Sequence, residues 1–214
     1  MIKITRTCNP KGLAKTSKAF QTAISGMETK EAYAFYKKQS RVYLYNTEET
    51  KMYFKQMNKE RCSFCTKFIQ DFDDEMTVEH IQLKREAPQL IFEWNNLLCA
   101  CRTCNTKRST KAHYPEKYLD PTSITQIEKY FCYELDGKIV PNQELNQHEQ
   151  EQAAYMIKLY QLNRKGLVCK RREFMKELMS DDDFCNKLIT MDESSQNIIF
   201  LSVFAYYKKQ RMPS

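Results

Sequence analysis

Two Cys-x2-Cys pairs, Cys62 with Cys65 and Cys101 with Cys104, lie 35 residues apart and are the sharpest chemical signal in the sequence. Thiolates at that spacing bend round one ion at about 2.3 Å each, the pattern of a tetrahedral zinc site. Four sulfurs close the coordination sphere, so the ion is expected to be structural. Chemistry must then come from side chains near the pairs. The stretch between them holds Glu79-His80 and Asn96, and Asn105 and Lys107 follow the last cysteine directly.

The elements around these residues can be read from pattern. Residues 62–112 carry the short β-like runs "MTVEHI" and "NNLLCAC", then the polar basic stretch "CNTKRSTK", which predicts strand, strand, helix in a small module. Neighbouring residues on a strand point to opposite faces, so Glu79 and His80 can share a site only where the strand ends or twists. Upstream, residues 12–40 read as two helical segments broken at Gly26. Residues 46–60 begin with Asn46 and place Glu49 three positions on, a capping-box-like helix start. Downstream, 131–141 alternates like a hairpin about Asp136-Gly137. The stripes at Ala154, Ile157, Leu159 and Leu162, at Phe174, Leu178 and Met179, and at 198–204 predict helices whose apolar faces are core.

Composition agrees with that reading. With 214 residues, 4 Gly, 6 Pro and 29% charged residues, the chain can bury a core and favours helix over a sandwich of short strands. The start "MIKITRTCNPKG" has no secretory pattern, and "IIFLSVFAYY" is far shorter than the ~20 residues that span a bilayer. A soluble, intracellular, cytoplasmic protein is expected. Nine cysteines there argue against a disulfide framework. Residues 1–60 hold 12 Lys and Arg against 5 Asp and Glu, whereas 61–120 balance at 9 against 9 and 121–214 at 13 against 13. The net charge of +7 therefore sits in the amino-terminal segment, where it suits a polyanion, an acidic partner surface or simply a solvated helix face.

The order Cys-x2-Cys, Glu-His, Asn-Leu, Cys-x2-Cys-Asn-x-Lys closely resembles the HNH endonuclease family over residues 62–107. The resemblance implies a fold of α+β class, mostly helical, with a zinc-braced ββα-metal finger embedded in helical flanking segments. The expected organisation is a basic helical segment at 1–61, the finger at 62–112, and a hairpin and helical region at 113–214. The resemblance also assigns roles. His80 would be the general base, since a neutral imidazole can take a proton from water near neutral pH. Glu79 and the side-chain oxygen of Asn105 would hold a catalytic Mg2+ or Mn2+ through hard oxygen ligands. Asn96 would brace the loop between the strands, and the four cysteines would hold the structural Zn2+. Lys84, Lys107, Arg108 and Lys111 are the expected nucleic-acid contacts.

Looser matches, "HYPEKYLDP", "ELDGKIVPN" and "IKLYQLNRKGLVCKRR", are similar to the HNH subunit (PtuB-type) of Septu antiphage systems and of related retron-linked systems. That likeness implies an effector nuclease acting on DNA or RNA beside an ABC or SMC-like ATPase subunit of the PtuA type. In some systems a retron reverse transcriptase and its DNA also take part. The competing reading is a non-catalytic zinc module that binds nucleic acid or tethers a complex. Cys8, Cys99, Cys132, Cys169 and Cys185 are expected to be small buried hydrophobes, and His113 and His148 ordinary histidines.

Overall fold

The fold is taken from a computed structural model that describes residues 1–69, 75–108, 115–180, 186 and 200–211. In chain order the helices are α1 (Lys11–Ala23), α2 (Thr29–Gln39), α3 (Glu48–Asn58), α4 (Arg102–Lys107), α5 (Gln147–Leu159), α6 (Lys165–Ser180) and α7 (Leu201–Arg211). Two antiparallel hairpins interrupt them, β1 (Met76–His80) with β2 (Leu97–Cys101) and β3 (Phe131–Tyr133) with β4 (Ile139–Pro141). The protein is of α+β class and mostly helical. No helix among the described residues is long and apolar enough to cross a membrane.

Leu13, Ser17 and Phe20 form the buried face of α1, spaced three and four residues apart as a helix stripe requires. Gly26, at φ +80°, makes the break before α2. The cap of α3 differs from the sequence expectation. Thr47, not Asn46, is the N-cap, and its hydroxyl accepts from the Thr50 amide at 3.2 Å. Glu49 turns instead to α1, where it accepts from the Gly12 amide at 3.1 Å. A carboxylate at a helix start is favourable there too, so Glu49 serves a neighbouring helix rather than its own.

The β1–β2 hairpin pairs Met76 with Cys101 and His80 with Leu97. Every residue of β2 is buried, because α3 covers the hairpin and α4 packs against both strands. That double cover explains why "LLCAC" lacks the alternation of a half-exposed strand. The first cysteine pair forms a tight knuckle in which the Thr66 amide donates to Cys62 O at 2.9 Å and the Cys62 amide to Lys67 O at 3.1 Å. The Ser63 amide donates to Cys99 O at 3.0 Å and ties the knuckle to β2.

Thr66 has φ 57°, a left-handed conformation that costs a β-branched residue about 1–3 kcal/mol. Its buried hydroxyl lies 2.7 Å from Ser202 Oγ, which lies 2.6 Å from Tyr133 OH. Phe200 also bridges Lys67. Helix α7 and the second hairpin are thus pinned to the knuckle. At the tip of that hairpin Gly137 has φ +89°, and a Cβ there would stand 2.3 Å from Val168 O of α6. Buried residues of the amino-terminal segment, the finger and the carboxy-terminal region belong to one apolar cluster.

Of the remaining cysteines Cys99 is buried, Cys132 and Cys169 are half-buried, and Cys185 lies outside the described residues. Cys8 is exposed, contrary to expectation. The inward contacts of its segment are made by Arg6 and Thr7, which bond the loop before β2 and leave Cys8 outside. His148 is exposed on α5, and His113 lies outside the described residues.

Candidate active site and metal centre

The sulfurs of Cys62, Cys65, Cys101 and Cys104 all lie within 4.8 Å of one another, and all four residues are buried. A tetrahedron with metal–sulfur bonds of about 2.3 Å has sulfur–sulfur edges of about 3.8 Å, so the cluster needs only a slight contraction to hold one ion. Each pair is shaped locally. Cys62 and Cys65 flank the knuckle turn, while Cys101 ends β2 and caps α4, its sulfur 3.5 Å from the Cys104 amide. Both terminal nitrogens of Arg164 lie 3.6 Å from Cys104 Sγ, bringing a positive charge from the α5–α6 junction to the thiols.

His80 is the last residue of β1 and only 5% exposed. Its Nε2 lies 3.0 Å from Ile91 O. A carbonyl can only accept, so the proton resides on Nε2 and the lone pair on Nδ1. Burial, followed by the positive charge of Lys84, lowers the imidazole pKa to about 3. The ring is therefore neutral at physiological pH. Tyr45, from the loop between α2 and α3, meets it edge to face with centroids 4.7 Å apart.

Asn96 ties together both ends of the loop that follows β1. Its Oδ1 accepts from the Gln82 amide at 2.8 Å, its Nδ2 donates to Leu90 O at 3.0 Å, and its backbone oxygen accepts from the Ile81 amide at 2.9 Å. Arg6 holds the same loop from outside, donating to Trp94 O at 2.6 Å, Asn95 O at 2.9 Å and Leu97 O at 3.0 Å.

Asn105 lies on the other side of β1, where its Nδ2 donates to Thr77 Oγ1 at 2.9 Å and to Val78 O at 3.3 Å. Thr77 and Glu79 share a strand face by alternation, so Asn105 and Glu79 belong to the α4 side of the hairpin. Glu79 is 6% exposed, and its Oε1 accepts from the His80 amide at 3.0 Å and from the Arg108 guanidinium. Burial pushes the Glu79 carboxyl above the usual range, against the opposing pull of Arg108. Glu79 and His80 thus point to opposite sides of β1, and the Lys84 charge acts on both.

The expected nucleic-acid contacts divide. Lys107 is exposed at the end of α4, and Lys111 lies outside the described residues. Lys84 is half-buried and donates to Tyr45 OH at 3.0 Å. Arg108 must be corrected as a surface contact. It is 7% exposed and turned inward, bonding Glu79, His80 O and, at 2.8 Å, Ile81 O. The helix ends at Lys107, so the next side chain folds back over β1, where a buried carboxylate and two carbonyls offer a guanidinium the partners it needs.

Residues 62–111 match the family described as HNH endonuclease. The chain carries an HNH endonuclease domain. The chain is also 34% identical over 85 residues to the Septu protein PtuB of Bacillus thuringiensis. That match covers 39% of the chain and 33% of the relative, so it spans about a third of the relative's length. The matched stretch contains the cysteine pairs, Glu79, His80, Asn96 and Asn105. Tyr45, Arg6 and the inward role of Arg108 carry no sequence signal, because all three depend on contacts made across folded segments.

Proposed function

We propose that this protein is a metal-dependent endonuclease that hydrolyses phosphodiester bonds of nucleic acid, with a structural Zn2+ in the four-cysteine site. The observation that carries the reading is a neutral His80 imidazole at the end of β1, oriented through Nε2 by Ile91 O within a stretch matching HNH endonucleases. In that orientation Nδ1 takes a proton from the attacking water. Burial is the main cause of the low imidazole pKa and Lys84 the second, so a phosphodiester beside Lys84 would offset the smaller, electrostatic part and make His80 a somewhat stronger base.

A catalytic Mg2+ or Mn2+ would be held by Glu79 and the side-chain oxygen of Asn105. Hard oxygens suit such ions, and with both Asn105 amide donations made from Nδ2, Oδ1 remains to act as the ligand. When bound, the ion supplies charge stabilisation at the phosphate. Arg108 already donates to Glu79 Oε1, so the second carboxylate oxygen is the one that suits the ion.

The likeness to a Septu protein supports a place in an antiphage system; an ATPase partner of the PtuA type and action in the cytoplasm belong to the same proposal. In retron-linked forms a reverse transcriptase and its DNA would join it. The burial of Glu79 beneath Arg108 favours one competitor, a non-catalytic zinc module. A cleavage assay on DNA and RNA with the ATPase subunit, Mg2+ or Mn2+ and an EDTA control separates them. Metal-dependent cutting lost in His80→Ala is expected; no cutting by the parent removes the nuclease reading, and cutting by the variant at the parental rate removes His80 from the chemistry.

A further inference from the structure

Tyr45 joins two groups of the candidate site that the HNH motif leaves unconnected. Its ring stands at 88° to the His80 imidazole with centroids 4.7 Å apart, the edge-to-face arrangement aromatic rings favour. Its hydroxyl accepts from Lys84 Nζ at 3.0 Å. The ammonium also lies 5.2 Å from the centroid of Tyr45 and 5.7 Å from that of Tyr36.

Among the described residues no carboxylate is ion-paired with Lys84. A cation held by a neutral hydroxyl and two aromatic faces keeps its full charge, and one hydrogen bond leaves two N–H groups for an anion. The side chain is half-buried, so that charge is screened less than on an open surface. Lys84 comes four residues after His80, and Tyr45 touches both, its ring 4.7 Å from the imidazole centroid and its hydroxyl 3.0 Å from Nζ. An anion drawn to Lys84 therefore arrives beside the imidazole.

We propose that Tyr45 is a positioning residue of the nuclease site, its ring orienting His80 and its hydroxyl holding Lys84 as the contact for a backbone phosphate. The inference rests on the nuclease reading and extends it, because it makes the loop between α2 and α3 part of the site. Tyr45 touches neither water nor phosphate in this role and acts only through its two neighbours.

The test is a double-mutant cycle on the full chain, with Tyr45→Phe, Lys84→Gln and the double variant. Affinity is measured for short fluorescein-labelled DNA and RNA oligonucleotides by anisotropy. Tyr45→Phe keeps the ring and removes only the hydroxyl. It should weaken binding about tenfold, the scale of one hydrogen bond to a charged group, and should add nothing once Lys84 is Gln. Parental affinity in Tyr45→Phe, additive losses, or a parent that binds neither oligonucleotide overturns the Lys84 half.

The ring is tested by imidazole 15N spectra, with His80 assigned by comparison with His80→Ala. The parent should show the Nε2–H tautomer, and Tyr45→Leu should shift and broaden the His80 ring signals as the ring loses its packing partner. Unchanged ring signals in Tyr45→Leu overturn the His80 half. If the parent cuts no nucleic acid, the nuclease reading fails, while the binding cycle and the spectra still decide the role of Tyr45.

Discussion

Arg108 donates to the Glu79 carboxylate, and the Glu79 oxygen that receives it also accepts from the backbone amide of His80. The acidic residue beside the imidazole is thus paired with a guanidinium anchored on two strand carbonyls. Removing one partner of a buried pair leaves the other charge unpaired at a cost of about 3–5 kcal/mol. Arg108→Gln should destabilise the protein on that scale in urea unfolding, and Glu79→Gln in the same chain should recover part of the loss. A surface phosphate contact would behave differently, changing the salt dependence of binding and leaving the unfolding midpoint in place.

The four-cysteine site should hold one zinc per chain and keep it in EDTA far longer than activity survives, because a closed thiolate site exchanges slowly. Arg164→Gln should speed zinc transfer to a competing chelator, since it withdraws the cation 3.6 Å from Cys104 Sγ. Arg164→Lys should restore much of the retention. Metal analysis after purification without chelators checks the first statement, and a colorimetric zinc-release assay checks the second.

His80→Ala should lower cleavage at least ~100-fold, the usual scale for a lost general base. It should not be silent in stability. The variant leaves Ile91 O without its donor and opens the contact with Tyr45, so a loss of about 1–3 kcal/mol is expected. Zinc content should be unchanged. Retained cleavage at parental rates would remove His80 from the chemistry.

Lys11, Lys15 and Lys18 are exposed along α1. Reversing all three to Glu should weaken nucleic-acid binding and flatten its dependence on salt, with a change in log–log slope of about 0.9 for each lost duplex phosphate contact. If the face docks an acidic protein partner instead, co-purification with the proposed ATPase partner is lost while nucleic-acid binding persists. A triple variant that assembles and binds like the parent at every salt concentration marks a solvated helix face.

Much of the local structure could be read before folding was considered. The break at Gly26, the turn at Asp136-Gly137, the strand–strand–helix order and the two cysteine knuckles follow from short-range rules, in which a residue's neighbours within a few positions set its conformation. Residue spacing also indicated that one site could gather both cysteine pairs, because metal-ligand geometry restricts the chain wherever it lies in sequence. The α3 cap was legible only to within one residue. Thr47 and Asn46 are both good caps; Thr47 takes the position, and Glu49 bonds Gly12 of another helix instead of closing a capping box.

What tertiary structure alone decided is where charged and aromatic side chains point once distant segments meet. Arg108 reads as one more basic residue in "CNTKRSTK", yet it is buried because Glu79 and two carbonyls wait under the end of α4. Tyr45 stands 35 positions before His80 in a loop with no motif, and Ser202 reaches the strained Thr66 from the far end of the chain. Composition and periodicity report how strongly a segment wants to be buried, but not against what. Here the cysteine pairs indicated one gathered four-sulfur site. The packing of the flanking segments determined which neighbours hold His80, Glu79 and the four clustered sulfurs, because hydrogen bonds and ring contacts form only between groups the completed fold brings within a few ångströms.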